Sequence, residues 1–360
     1  MNKRAWIKLP QAAALAGLSL FASAAAAQPP AGHGPYFPAD SPWYRDVTNA
    51  PVDPESPAVI AWLASMNIWT GDPQRLPPAR FQIDFSIEVL EAGPAAPLRT
   101  FIPTGDFFDP DCDEAPVPLP AGGAIEGENG YQCADDGDCH LIVVHPSTNR
   151  LYEMWRANVL GVDFFGGCLA VWDMAITYPD KGRGEQCSSA DAAGFPIAPL
   201  LFSADEVAAG EINHAIRFIL PNNRMRHRVY VRPATHSTSS TSGPLQAPPY
   251  GARLRLRADF PLHTLPNEGA RVVARAMQKY GILLSDGGNI ALTAQSDRFT
   301  TAKWAGRLGP HDLATVKVTD FQMVEAGPRY TWTGDCTRTT PLFYDGFELG
   351  GWSKWSHPVP

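Results

Sequence analysis

Beyond its first 27 residues the chain has no apolar run approaching the roughly 20 residues that a membrane-spanning helix needs, which argues against a membrane span. It has no G-x-S-x-G elbow, H-E-x-x-H, phosphate-binding glycine loop or dinucleotide fingerprint. Serine esterases, zincins and nucleotide-dependent enzymes are thereby set aside. No C-x-x-C knuckle occurs, so a zinc site is a poor fit to the cysteines. Carboxylates are missing altogether between Ile212 and Ala258, although eight arginines fall there. No internal repeat is visible, and 237–243 is the only low-complexity patch.

What the sequence does contain begins with an export leader. Lys3, Arg4 and Lys8 precede an apolar stretch from Ala12 to Phe21, and Ala25-Ala26-Ala27 before Gln28 gives a small-x-small cleavage pattern. Residues 1–27 therefore read as a signal peptide, and the mature protein is expected in the periplasm or the medium. The six cysteines, Cys112, Cys133, Cys139, Cys168, Cys187 and Cys336, all follow the leader, an even number bound for an oxidising compartment. Three disulfides are expected, with the pairing open. The formal charge of -8 includes the three leader cations, leaving about -11 without them, which argues against nucleic acid as a partner.

Residues 28–38 are rich in Pro and Gly and read as an extended lead-in. Pro57 to Met66 predicts a short helix with Pro57 in its first turn. From Arg80 to Leu90, Phe81, Ile83, Phe85, Ile87 and Val89 alternate with Gln82, Asp84, Ser86 and Glu88, as in a half-buried antiparallel strand. His140–Val144 and Leu151–Ala157 flank a turn and predict a hairpin. Further strands are expected over Leu169–Thr177, Glu211–Leu220, Arg228–Arg232, Arg253–Phe260 and Val316–Val324. Ser203 and Glu206 fit a capping box on a helix that ends at Gly210, and Asn267–Tyr280 has helical spacing. Many strands and few helices predict a mainly β fold, an antiparallel β-sandwich or jelly roll, occupying 41–335 as one domain with a tail over 336–360.

Candidate chemistry is scattered. Asp109, Asp111 and Asp113, and Asp135, Asp136 and Asp138, place carboxylates at alternate or adjacent loop positions suited to a structural Ca²⁺, which takes about 6 to 8 oxygens. No cofactor is otherwise required. His214 shares its strand face with Ile212, Ile216 and Phe218 and should point inward, while Asn213 and Arg217 point the other way. His236 opens a hydroxyl-rich run that could line a cleft. Asp173 stands in a charge-free run beside Trp172, where desolvation would raise its pKa. Asp191 lies in a loop of small residues that lets a ligand approach the backbone, or else forms an Asx turn. Glu206 caps its helix, Glu211 opens a strand, and Asp286 before Gly287-Gly288 reads as a turn residue. Asp84 and Glu88 share a strand face but lie roughly 13 Å apart, too far for an acid–base pair. Arg253, Arg255 and Arg257 line one face and call for carboxylates or an anionic polymer.

Ser41-Pro42-Trp43, the segments 188–197 and 205–218, Pro233-Ala234-Thr235-His236 and 280–286 resemble an uncharacterised family of secreted bacterial proteins. The resemblance implies one continuous domain and carries no activity. The terminal Phe343-Tyr344-Asp345-Gly346-Phe347-Glu348, with Trp352 and Trp355, resembles a short tail of secreted proteobacterial proteins. Together these readings favour a secreted carbohydrate-active enzyme acting on a polysaccharide or cell-surface glycan. A glycoside hydrolase using two of Asp173, Asp191, Glu206 and Glu211 leads. A lyase with His236 or Tyr230 as base and Asn213, Arg217 or Arg255 at the uronate is the variant. A non-catalytic glycan-binding protein with Trp172 and Trp155 as stacking platforms is the third.

Overall fold

The computed structural model describes residues 28–66, 69, 81–135 and 137–338; the expected leader over 1–27, Asp136 and the expected tail beyond Arg338 lie outside them. The described chain is mainly β with three short helices and several sheets. The elements that frame the site are α1 (Ser56–Ser65), β1 (Ile83–Ile87), β2 (Val89–Glu91), β3 (Leu141–His145), β4 (Arg150–Trp155), β5 (Cys168–Asp173), α2 (Ala204–Ala209), β6 (Ile216–Leu220), β7 (Arg253–Leu256), α3 (Glu268–Lys279), β8 (Ile282–Gly287), β9 (Leu292–Gln295) and β10 (Phe321–Met323). Six strands form one sheet in the order β1-β9-β6-β8-β7-β10, and four form another, β5-β4-β3-β2.

Neither sheet is purely antiparallel. β1 runs parallel to β9, β6 parallel to β8, and β2 parallel to β3. The long connections allow this: β6 and β8 are joined through β7 and α3 rather than by a hairpin. The expected hairpin is present, with β3 and β4 antiparallel around the Pro146–Thr148 turn. The expected strands from Glu211 and over Val316–Val324 are shorter, beginning at Ile216 and Phe321.

The sequence pattern explains the layers. In β3, Ile142 and Val144 join one large core while Leu141 and Val143 join a second; β5 divides the same way, with Ala170 and Trp172 against Leu169 and Val171. The four-stranded sheet is thus buried on both faces. Ile216, Phe218 and Leu220 of β6, Ile282 and Leu284 of β8, and Leu254 and Leu256 of β7 supply the large core from the other sheet. The Ser203 capping box is formed as expected, with Ser203 Oγ accepting from the Glu206 N–H and Glu206 Oε2 from the Ser203 N–H, and Gly210 closes α2 with φ of 87°.

Three disulfides are present: Cys112–Cys168, Cys133–Cys139 and Cys187–Cys336. No described helix is long and apolar enough to cross a membrane.

Candidate active site

Arg217 projects from β6 on the face opposite Phe218 and is buried, so its charge has to be balanced within the protein. Asp191 balances it: Arg217 Nε donates to Asp191 Oδ2 at 3.1 Å and Nη2 to Oδ1 at 2.9 Å. Asp191 is fully buried. Its loop is fixed by Ser189 Oγ, which donates to the carbonyls of Asp191 and Phe195, and by the Ala193 N–H bonded to Ser285 O. Gly194 turns the loop back with φ of 78°, and a Cβ there would lie 2.1 Å from Thr235 Oγ1. The loop of small residues is therefore required by close packing.

Asp286 completes the group. Arg217 Nη2 lies 3.4 Å from Asp286 Oδ2, and Gly287 N–H donates to Oδ1 at 2.6 Å. A bulge puts it there. Phe218 pairs with Leu284 but Ile219 pairs with Asp286, so Ser285 is the extra residue on β8. Plain alternation would place Asp286 with Leu284 on the core face; the extra residue turns it to the face of Arg217. Burial, then the charge of Asp191, push the Asp286 carboxyl up to about 8 against the pull of Arg217. Its side chain nevertheless keeps 25% of its surface accessible.

On the other side, Arg217 Nη1 donates to Thr293 Oγ1 at 3.3 Å, and Thr293 is the register partner of Asp84 in β1. Ser86 gives Asp84 two hydrogen bonds of 2.9 Å, from N–H and from Oγ. Burial raises the Asp84 pKa, opposed by those bonds and reinforced by the charge of Glu126. Glu126 in turn holds His140 Nδ1 at 2.6 Å, while His140 Nε2 faces Ala190 O at 3.2 Å. Burial works against both charges of this pair, yet their mutual attraction prevails, bringing Glu126 down to about 2 and His140 up to about 9. Two carboxyl groups with raised pKa, Asp286 and Asp84, thus flank Arg217, one beside the Asp191–Arg217 pair and one beside Glu126–His140.

Glu153, on the core face of β4, ties the four-stranded sheet to the segment that follows the Asp191 loop. It accepts the N–H groups of Ile197 and Ala198 at 2.8 Å each and Trp172 Nε1 at 3.0 Å. Burial raises its pKa to about 7. A separate cavity of about 460 Å³ lies beyond β1, lined by Phe85, Trp304, Asn267 and Asp312 among others. None of the carboxyl cluster lines it.

The structure brings together Asp191 and Arg217 from the expected site residues and sets His236 at the border of the cluster. Asp173 ends β5 in an ion pair with Arg150 at 2.8 Å, partly exposed rather than desolvated, because the strand stops there. Trp172 is buried in the core and offers no stacking face. Glu206 and His214 pair with each other at 3.2 Å; burial and the charge of Glu206 act oppositely on His214 and leave its pKa raised. Glu211 and Asn213 are exposed, Asn213 accepting from Tyr280. His236 is buried, with Nδ1 2.7 Å from Ala192 O and its ring against Trp332; burial lowers its pKa. The Ala192 N–H also faces Asp286 Oδ2 at 3.4 Å, so His236 borders the cluster. Tyr230 is buried, donates to Glu185 at 2.5 Å and stacks on Tyr330.

The arginine stripe has a third solution, neither carboxylate partners nor a ligand for its inner members. Arg255 donates to the carbonyls of Val47, Thr48 and Ala50, and Arg253 to those of Pro42, Arg45 and Tyr280. Among the described residues, Arg257 alone of the three pairs with a carboxylate, Asp259.

The acidic loops do not converge among the described residues. Asp113 is buried between Arg183 and Arg338, Asp111 accepts from the Ser188 N–H, and Asp109 is exposed. Asp138 accepts from Trp155 Nε1, Asp135 is exposed, and Asp136 lies outside the described residues. The set of ligand-type atoms found close together there is Glu128 with Cys133 and Cys139, whose sulfurs are joined in a disulfide.

Asp286, Asp84, Glu126 and His140 went unchosen in the sequence. The polar face Gln82-Asp84-Ser86-Glu88 was a usable signal for Asp84; a shifted register on β8 left none for Asp286.

The raised pKa of Asp286 has a consequence for stability. A carboxyl that binds its proton more tightly folded than unfolded costs stability as pH rises from its unfolded value, near 4, through about 8. Asp286→Asn removes that cost, so the variant should melt higher than the wild type at pH 8 and nearly level with it at pH 4.5. Thermal melts at both pH values test this; an equal or lower melting temperature at pH 8 contradicts it.

No family model matches the chain, and the searches of curated proteins and of solved structures gave no match either.

Proposed function

We propose that the chain is an exported carbohydrate-active enzyme, a glycoside hydrolase that cleaves a polysaccharide by carboxyl acid–base chemistry with Asp286 as general acid. The observation that carries this reading is a partly accessible carboxyl pushed up to about 8, placed beside the buried Asp191–Arg217 ion pair. A carboxylic acid kept neutral at pH 7 can protonate a departing glycosidic oxygen. Asp191 is buried and positions Arg217 and Asp286 instead of touching substrate. In this reading the two large sheets are the layers of a sandwich, supported by the core residues they share. The leader and three disulfides fit an exported protein. The lyase variant is less favoured, since Tyr230 donates to Glu185 and Arg253 and Arg255 are bound to backbone carbonyls.

The test is release of reducing ends from a panel of neutral and acidic polysaccharides by the oxidised mature chain. Wild type should cleave at least one, with activity declining as pH rises through about 8, and Asp286→Asn should lose on the order of 10²–10⁴-fold in rate. Silence across the panel from folded wild-type protein would sink the hydrolase reading.

A further inference from the structure

The bulge that turns Asp286 toward Arg217 needs a holder outside the sheet. Ser285, the extra residue, has no register partner on β6, since Phe218 pairs with Leu284 and Ile219 with Asp286. The pairing of β8 with β7 covers Ile282 and Leu283 and goes no further. A residue left out of the ladder still has a carbonyl to satisfy when it is buried. Ser285 is fully buried, and its carbonyl accepts the Ala193 N–H at 2.8 Å. The holder of the bulge is therefore the loop that carries Asp191.

The Ala192–Ala193 peptide unit is clamped from both sides. Its N–H points to Ser285 O; its C=O, which a trans peptide directs the opposite way, accepts from His236 Nδ1 at 2.7 Å. A carbonyl only accepts, so Nδ1 carries the proton. Thr235 reinforces the clamp, its N–H donating to Ala193 O at 3.0 Å and its Oγ1 to Cys187 O at 2.8 Å. The preceding amide, the Ala192 N–H, faces Asp286 Oδ2 at 3.4 Å. His236 thus reaches Asp286 by two routes through one short segment, along the chain from the Ser285 carbonyl and directly through the Ala192 N–H on its side chain. His236 is itself held, being buried with its ring 4.9 Å from that of Trp332. The charged groups around it are Asp111 and, stacked on Trp332, Arg228; those around Asp286 are Asp191, Arg217 and the phenol of Tyr250. Burial lowers the His236 pKa, so at pH 7 the ring donates without adding a cation to the cluster.

We infer that His236 is a positioning residue of this site: through the Ala192–Ala193 peptide it holds the Ser285 bulge and so fixes the direction of the Asp286 carboxyl. The catalytic consequence, though not the structural one, rests on the hydrolase reading above. A buried imidazole that donates from Nδ1 and lies against Trp332 is placed to orient a neighbour instead of meeting a substrate. Removing the donor frees the 192–193 peptide to turn, and the Ser285 carbonyl with it. Asp286 then gains water and moves away from Asp191. Burial and the charge of Asp191 are the leading influences that raise its pKa, so the pKa should fall toward the ordinary carboxyl range. Displacing a reacting group by about 1 Å can cost on the order of 10²-fold in rate.

The experiment compares His236→Leu with His236→Asn in the full, oxidised mature chain. Leucine lacks the donor; asparagine carries an amide nitrogen two bonds from Cβ, where histidine has Nδ1, and can still donate to Ala192 O. The Asp286 carboxyl carbon is titrated by carbon-13 NMR, with Asp286→Asn to assign it, and kcat and KM are measured on the polysaccharide cleaved in the panel. His236→Leu should lower the Asp286 midpoint by about one pH unit or more. It should also cut kcat on the order of 10- to 10²-fold while KM moves little. His236→Asn should recover most of both losses. An unmoved or raised Asp286 midpoint in His236→Leu, or a His236→Asn variant as impaired as His236→Leu, overturns the inference. Should His236→Leu fail to fold, nitrogen-15 NMR of the wild type decides: His236 should be the Nδ1–H tautomer at neutral pH, and the Nε2–H tautomer overturns the inference. The titration needs no substrate, so absence of cleavage by wild type sinks the hydrolase reading alone, and the Asp286 midpoint still decides the role of His236.

Discussion

Arg217→Met should cost about 3–5 kcal/mol of stability, because it leaves a fully buried carboxylate with no counter-charge. Methionine keeps much of the side-chain volume, so little of the loss comes from packing. The residue also supplies a hydrogen bond to Thr293 and stands against Asp286, so three groups lose a partner at once. At this chain size the melting temperature should fall by roughly 5–10 °C. The deficit should depend on pH in a definite sense. Without the pull of Arg217, Asp286 binds its proton more tightly in the folded state, which then loses stability as pH rises. Thermal or urea melts should therefore show a larger deficit at pH 8 than at pH 5. Adding Asp191→Asn should recover at least about 1 kcal/mol, as expected of residues in direct contact. A single variant within about 1 kcal/mol of wild type at both pH values would contradict this account.

Loss of the Cys187–Cys336 bridge should be the most damaging of the three disulfide deletions. The bridge closes a span of 149 residues, and chain-entropy reasoning assigns about 5 kcal/mol to a loop of that size. The same reasoning gives about 2 kcal/mol for Cys133–Cys139, whose separation is only 6. Cys187–Cys336 also holds Thr337–Arg338 against Gly184–Glu185, and this contact brings Arg338 to Asp113 beside Arg183. Glu185 in turn receives hydrogen bonds from Tyr230 and Arg232. Because Cys187 immediately precedes the loop that carries Asp191, loosening there should reach the site as well. Melts of the paired Cys→Ser variants should rank Cys187/Cys336 as the least stable and Cys133/Cys139 as nearest to wild type. The reverse order would show that the bridge does not constrain the unfolded chain as supposed.

Local patterns carried well from sequence to structure. The Ser203–Glu206 capping box, the hairpin around Pro146–Thr148 and the helix capped by Asn267 all depend on residues a few positions apart, where spacing and side-chain chemistry decide the outcome. Strand ends carried less well, since a strand stops where its partner stops; Asp173 illustrates this, lying where β5 leaves β4. The parallel pairings of β1 with β9 and β6 with β8 left no mark on alternation, because both arrangements have the same period of two. Arg253 and Arg255 were correctly seen as charges in need of partners, but the backbone carbonyls they bind, all except Tyr280 O, lie some two hundred residues earlier in the chain.

The amino-acid sequence by itself determined a mainly β chain with a few capped helices and an even set of cysteines able to form three disulfides, and it marked a carboxylate in a loop of small residues, Asp191, and a strand arginine, Arg217. These follow from periodicity, composition and local hydrogen bonding. Tertiary structure alone decided that those two residues meet, that Glu126–His140 and Asp84 join them from distant segments, and that Asp286 belongs to the group. The physical reason is most evident at Ser285: one extra residue in a strand moves every later side chain to the opposite face, and only the neighbouring strand fixes where that residue is accommodated.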